Sequence, residues 1–100
     1  MHPLMSALLG LAPDHDPELD EGFQRYVAYL ETILTPAQLD TYTTLIQRTG
    51  TVQIFEELTP DELAALTSDE LVIATTIMAD ETGTMENRRV AALLSQRGAA

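Results

Sequence analysis

Five neighbouring residues form the group in this sequence with the best potential for chemistry: Asp14, His15, Asp16, Glu18 and Asp20. An imidazole among carboxylates can bind a divalent metal ion or act as a general base. Carboxylates at alternate positions are also typical of calcium-binding loops, but such loops need Gly at the sixth position and Glu at the twelfth. This chain has Leu19 and Arg25 there. We therefore predict no metal site and interpret the segment as a linker in which Asp16 caps a helix. A metal-binding or enzymatic role for residues 14–20 is the third functional hypothesis.

Adjacent acidic residues recur along the chain, at Glu56 and Glu57, Asp61 and Glu62, Asp69 and Glu70, and Asp80 and Glu81. Acid–base catalysis or a two-metal centre would need such groups turned inward on facing helices, usually with a Glu-x-x-His pattern, which the sequence lacks. Neighbours on a helix also point about 100° apart, so each pair divides its directions. We interpret these acids as helix starts and solvated faces.

Nucleophilic catalysis and nucleotide binding lack their usual motifs. The chain has no cysteine, no serine lies in a Gly-x-Ser-x-Gly context, and the glycines are scattered instead of clustered in a phosphate-binding loop. We expect a protein that is not an enzyme and that holds no cofactor.

A six-residue phrase that occurs three times predicts where helices start. Its copies span residues 34–39, 58–63 and 66–71. In each copy a Thr can cap the helix, Pro or Ser takes the first helical position, and Gln or Glu three residues after the Thr can complete a capping box. The copies lie 24 and 8 residues apart, so they do not form a periodic repeat.

The apolar spacing predicts an all-α fold: a compact bundle of five to seven short helices in one domain over residues 1–100. The second helix has the clearest pattern, with apolar residues on one face at Leu19, Phe23, Tyr26, Val27, Leu30, Ile33 and Leu34. Residues 1–13 contain a short helix that could detach from the bundle, and residues 98–100 are expected to be a frayed tail.

Several finer expectations concern the later helices and the core. Residues 52–58 should form a helical turn or two, or a brief extended piece. The helix after Ser68 is apolar nearly all round, so we expect it to be central. Residues 80–83 should end it, and Thr84 should cap a last helix. We expect that helix to turn four side chains inward: Met85, Val90, Leu93 and Leu94. Four aromatic residues should fill much of the core: Phe23, Tyr26, Tyr29 and Tyr42.

Net charge excludes two classes of partner. The formal net charge is −11, with sixteen acidic residues against five arginines. Because Lys and Arg supply most of the affinity for phosphate, we expect no direct binding to nucleic acid and none to anionic membranes. The apolar stretch 4–12 is too short to span a bilayer and lacks a preceding basic region, so we expect a cytoplasmic protein. Codon bias or adaptation to salt is an alternative cause of the acidity.

The charge is also unevenly distributed along the chain. Residues 49–87 contain nine acidic residues and no basic one, whereas residues 88–100 contain three arginines and no acidic residue. We predict a small helical protein–protein interaction or regulatory domain that contacts a basic protein through six acids: Glu56, Glu57, Asp61, Glu62, Asp69 and Glu70. The alternative is an inhibitor that imitates nucleic acid and blocks a DNA- or RNA-binding protein.

The N-terminal helix is a second candidate contact. Its apolar residues Leu4, Leu8 and Leu11 share one face. They either close the bundle or form a seam for a partner or for a homodimer.

Overall fold

The described residues, 2–12 and 16–98, with residues 97 and 98 described by their backbone alone, form helices joined by short connections in a computed structural model. The elements in chain order are α1 (Pro3–Leu11), α2 (Pro17–Ile33), α3 (Pro36–Thr49), a 3-10 turn (Phe55–Glu57), α4 (Pro60–Ala64), α5 (Ser68–Met78) and α6 (Glu81–Gly98). None of the described residues lies in a β-strand. The predicted all-α bundle is confirmed, with a radius of gyration of 12.6 Å.

The predicted helix starts are confirmed at all three copies of the phrase. The hydroxyls of Thr35, Thr59 and Thr67 each accept a hydrogen bond from the backbone N–H three residues later, at 3.2 Å. The side chain at that later position, Gln38 in α3, accepts in return from the backbone N–H of the Thr, and α4 and α5 repeat the arrangement. Helices α3, α4 and α5 therefore begin where local sequence satisfies their first amide groups.

The core lies where α1, α2, α3, α5 and α6 meet. Helix α1 packs against α2 and α3, and α6 packs against α2 and α5. The largest fully buried side chains come from all five helices: Leu4, Leu8, Leu19, Phe23, Tyr26, Leu30, Tyr42, Leu45, Ile46, Ile73, Ile77 and Val90. Each aliphatic or Phe side chain in this set contributes roughly 1.5–3 kcal/mol through burial. Of the four aromatic residues expected in the core, Tyr29 is only partly buried.

A buried hydrogen-bond network connects α6 to α2, to α3 and to the segment around the start of the 3-10 turn. The hydroxyl oxygens of Tyr26 and Tyr42 lie 2.8 Å apart in a hydrogen bond. Asn87 Nδ2 donates to the Tyr26 hydroxyl and to the carbonyl of Gln53, and Asn87 Oδ1 accepts from the backbone N–H of Phe55. Burial raises the pKa of Tyr26 to about 12 and raises that of Tyr42 well above its ordinary value.

Helix α5 is not central, contrary to the expectation from its apolar composition. Ile73, Ala74 and Ile77 are buried, but Leu71 and Val72 are 38% and 50% exposed. The helix packs mainly against α3 and α6, and less extensively against α2 and the 3-10 turn. Because its neighbours do not surround it, one apolar side of α5 faces outward.

Helix α6 begins four residues earlier than expected, at Glu81. Asp80 Oδ1 accepts from the backbone N–H of Thr82 at 3.0 Å, so Asp80 and not Thr84 caps the helix. Gly83 lies buried in the first turn, where an added Cβ would meet the backbone carbonyl of Ile77 and lie 2.9 Å from the Tyr29 hydroxyl. A glycine at this position therefore allows α6 to pack closely on the end of α5.

The residues of α6 that face the core differ from those expected. Met85 is 56% exposed, and Leu93 and Leu94 are only partly buried. Glu86 and Asn87 are buried in the positions next to Val90 on the inner face. The prediction for Met85 was wrong because the helix contacts its neighbours through Gly83, Glu86, Asn87 and Val90, which follow helical spacing.

Candidate protein-binding surface

Five exposed carboxylates lie between the 3-10 turn and the start of α5, and we call them the acidic surface: Glu56, Glu57, Asp61, Glu62 and Asp69. The 3-10 turn carries the first two, α4 the next two, and α5 the last. Helix α4 buries none of its residues, so it lies on the outside of the bundle. The structure thus keeps five of the six predicted acids exposed.

Glu70, the sixth predicted acid, is a buried structural residue. It is 3% exposed, and its Oε1 accepts from Arg48 Nη2 and from the backbone N–H of Thr67, both at 2.9 Å. Burial raises the pKa of Glu70, but the hydrogen bonds from Arg48 and Thr67 outweigh it and lower the pKa below its ordinary value. Glu70 therefore connects α5 to α3, and its carboxylate does not belong to the acidic surface.

Glu56 and Glu57 share a cation. Arg88 Nη2 lies 2.7 Å from Glu56 Oε2 and 3.8 Å from Glu57 Oε2. All three side chains are about half exposed, so each pair contributes at most about 1 kcal/mol to stability. Folding thus brings an arginine of the C-terminal segment beside the acidic segment and offsets one of its charges.

The remaining three acids lie at helix starts. The pKa of Glu62 is lowered, first by the backbone N–H of Thr59 and then by the Thr59 hydroxyl. Among the described residues, no group donates a hydrogen bond to the exposed carboxylates of Asp61 and Asp69 or forms an ion pair with them. Both sit in the first turn of a helix, where the helix dipole favours negative charge. Asp61 and Asp69 are therefore the members of the acidic surface best placed to meet a cation from outside.

The predicted contact on α1 is placed inside the bundle. Leu4 and Leu8 are fully buried, and Leu11 is partly buried. These residues close the bundle, which was one of the two alternatives for this helix. In this conformation Leu4 and Leu8 are not accessible to a partner or to a second copy of the chain.

An apolar surface that sequence reasoning missed lies beside the acidic surface. Leu71, Val72 and Met85 are the exposed large apolar side chains of the described residues. Met78 and Met85 line a groove of about 780 Å³ together with Glu56, Glu81 and Arg88. The sequence signal was the uncharged run from 71 to 79, whose second apolar face was attributed to burial.

The acidic segment of residues 14–20 is only partly described. Asp16 Oδ1 accepts from the backbone N–H of Glu18 at 2.9 Å, which confirms its predicted role as the cap of α2. Asp14 and His15 lie outside the described residues. Within residues 2–12 and 16–98, no three His, Asp or Glu side chains are arranged to hold a metal ion. No described helix is both long enough and apolar enough to span a membrane.

Comparisons of the chain with protein-family models, with curated proteins and with solved structures found no match. The physical properties of its surface therefore carry the functional proposal.

Proposed function

We propose that this protein is a small cytoplasmic interaction or regulatory domain, without catalytic activity, that binds a basic surface of another protein through its acidic surface. The observation that carries the proposal is the exposure of five carboxylates within residues 56–69, with Arg88 as the single cation bound to them among the described residues. The absence of cysteine fits a reducing compartment.

Asp61 and Asp69 have the clearest role in this function. Because no described cation lies beside either carboxylate, each can attract Lys or Arg of a partner and accelerate the encounter of the two proteins. The same charges repel nucleic acid and anionic lipid. A basic protein is therefore the partner that this surface favours.

Three substitutions test the acidic surface: Glu57→Gln, Asp61→Asn and Asp69→Asn combined in one variant. The matched control carries Glu21→Gln, Glu31→Gln and Asp40→Asn, which remove the same charge from exposed positions on α2 and α3. Each protein is used for affinity capture from a lysate of the source organism, and captured proteins are identified by mass spectrometry.

We expect a basic protein that the wild type and the control retain and that the acidic-surface variant loses. With the purified partner, association should slow about tenfold in that variant and in high salt. Equal capture and equal association rates for all three proteins would contradict the proposal. Displacement of the partner by DNA would instead support the alternative function, an inhibitor that imitates nucleic acid.

A further inference from the structure

The outer side of α5 forms an uncharged strip on a strongly charged protein. No charged residue lies between Glu70 and Asp80, although the chain has a net charge of −11. The exposed large apolar side chains of the described residues all belong to α5 or to the early turns of α6. We define the apolar strip by six residues: Leu71, Val72, Thr75, Met78, Ala79 and Met85.

Helical spacing makes the strip continuous. Leu71, Thr75 and Met78 are separated by four and three positions and therefore lie along one side of α5. Residues 71–79 extend over about 12 Å, the length of roughly two turns of a helix. At the end of this side, Met78 and Met85 line the groove of about 780 Å³. The strip is thus an elongated apolar surface that ends in a groove where a side chain can bind.

The hydroxyl groups on this side do not oppose burial. The Thr75 hydroxyl donates to the backbone carbonyl of Leu71, and the Thr76 hydroxyl donates to that of Val72 at 2.7 Å. Since these donors are satisfied within the helix, an apolar group that covers them leaves no donor without a partner. The adaptable side chains of Met78 and Met85 suit an apolar anchor of varied shape.

The charges at the ends of the strip indicate its occupant. Asp69 lies at the start of α5, and Glu81 and Glu56 line the groove at its other end. Arg88, also in the groove, is engaged by Glu56 and Glu57. We propose that the apolar strip binds the apolar face of an amphipathic helix of the partner protein, with Lys or Arg of that helix beside Asp69 and Glu81. This inference rests on the proposed function and specifies the binding element of the basic partner.

Charge argues against two other occupants. A symmetric contact with a second copy would place Asp69, Glu81 and Glu56 of both copies close together, and like charges at an interface cost affinity. An anionic membrane would be repelled by the same residues. A basic amphipathic helix can cover the apolar strip with its apolar face and pair its cations with the acids at both ends of the strip.

The test uses the full chain with ¹³C-labelled methionine methyl groups. Met78 and Met85 report on the groove, and Met5 in α1 is an internal control. Three synthetic peptides of roughly 14 residues, each about four helical turns, are titrated. The first has leucines on one helical face and lysines flanking them, the second has the same composition with the leucines distributed round the helix, and the third has glutamates in place of the lysines.

We expect the lysine-flanked peptide to shift the Met78 and Met85 signals and to leave Met5 unchanged, and the other two peptides to bind at least tenfold more weakly. The substitutions Val72→Gln and Met85→Gln, at exposed positions, should weaken binding of the first peptide at least tenfold, whereas Ala28→Gln on α2 should not change it. No shift of Met78 and Met85 with the first peptide overturns the inference. So do concentration-dependent shifts without peptide, which indicate a second copy, and shifts with anionic vesicles, which indicate a membrane.

Failure of the proposed function gives a different result. If the variant with Glu57→Gln, Asp61→Asn and Asp69→Asn bound the first peptide as the wild type does, with the methionine shifts intact, the apolar contact would stand. The acidic surface and the placement of a cation beside Asp69 would then be refuted. If binding were lost in that variant while the wild type bound without shifts at Met78 and Met85, the acidic surface would stand and the strip would be refuted.

Discussion

At the scale of single residues, the buried hydroxyl groups of Tyr26 and Tyr42 commit the protein to one arrangement of its core. Each needs a hydrogen-bond partner because an unpaired buried polar group costs roughly 1–3 kcal/mol. They bond to each other, and Asn87 satisfies Tyr26 further. Asn87 also fixes the chain at Gln53 and Phe55, just before the acidic surface begins. This network therefore fixes the start of the 3-10 turn, which carries Glu56 and Glu57.

The tyrosine pair should make the protein sensitive to alkali. The pKa of Tyr26 is about 12 in the folded protein because burial disfavours the tyrosinate, against about 10 in the unfolded chain. Because the folded-state pKa is the higher one, the stabilisation is complete below pH 10 and is lost as the pH rises from about 10 to about 12. We expect Tyr26 to account for about 3 kcal/mol of this loss.

Urea unfolding of the wild type and of Tyr26→Phe between pH 9 and about pH 12 measures this contribution. The variant should lose less stability over that range, although it is weaker at neutral pH through its lost hydrogen bonds. Tyr29→Phe is the comparison: partial burial, and then the nearby Asp80, also raise the pKa of Tyr29, so this variant too should lose less stability than the wild type, but by a smaller margin than Tyr26→Phe because Tyr29 is more exposed. Parallel pH profiles for the wild type and Tyr26→Phe would show that Tyr26 ionises alike in both states.

At the scale of helices, two capping boxes with the same chemistry should differ in their effect on stability. Thr67 starts α5, which supplies Ile73 and Ile77 to the core, whereas Thr59 starts α4, which buries no residue. We expect Thr67→Ala to lower the free energy of unfolding by about 1 kcal/mol. Thr59→Ala should lower it less, because α4 can open without exposing the core, and should instead accelerate amide exchange in α4.

Chemical denaturation and hydrogen exchange distinguish the two effects. Thr44→Ala, at an exposed position inside α3, is the control for replacing Thr by Ala away from a cap. Equal losses of global stability in Thr59→Ala and Thr67→Ala would mean that α4 unfolds together with the core.

The starts of α2, α3, α4 and α5 could be predicted from the sequence because a cap involves residues only two or three positions apart. The start of α6 was predicted wrongly, although the bond from Thr82 to its cap Asp80 is equally local. Asp16, Thr35, Thr59 and Thr67 all cap the helices that local sequence assigns to them. The left-handed turn at Gly50, with φ 70°, follows from the same local chemistry.

The faces of α5 and α6 could not be predicted in this way because they depend on distant contacts. Gly83 determines how α6 meets α5 only through the carbonyl of Ile77 and the hydroxyl of Tyr29. Glu70 looked like a surface acid, and its burial depends on Arg48, which is 22 residues away in sequence. Five of the six acids expected at the surface are therefore exposed, whereas Glu70 is buried by its bonds to Arg48 and Thr67. Binding of a partner by the exposed acids stays a prediction.

At the scale of the whole molecule, folding pairs the few cations with acids and leaves a large excess of negative charge. Each of the arginines with a described side chain lies within 4.0 Å of a carboxylate, at Arg25, Arg48, Arg88 and Arg89. The formal net charge of the chain nevertheless stays at −11. Repulsion among the unpaired acids should oppose the compact state, and the same excess should direct a basic partner to the surface.

This repulsion should make the protein more stable when salt is added. Electrostatic interactions reach about 30 Å at about 10 mM salt and about 8 Å at about 150 mM, and the molecule measures 33 × 26 × 25 Å. At the lower concentration nearly all charges therefore act on one another, and at the higher concentration only neighbours do. We expect the stability gained from screening to exceed the loss from the exposed ion pairs, and Tm to rise by about 5 °C, equivalent to about 1 kcal/mol.

Thermal unfolding across this range measures the rise, which should be smaller in the variant with Glu57→Gln, Asp61→Asn and Asp69→Asn. A fall in Tm would mean that the ion pairs of the arginines dominate, and that the excess negative charge does not destabilise the fold.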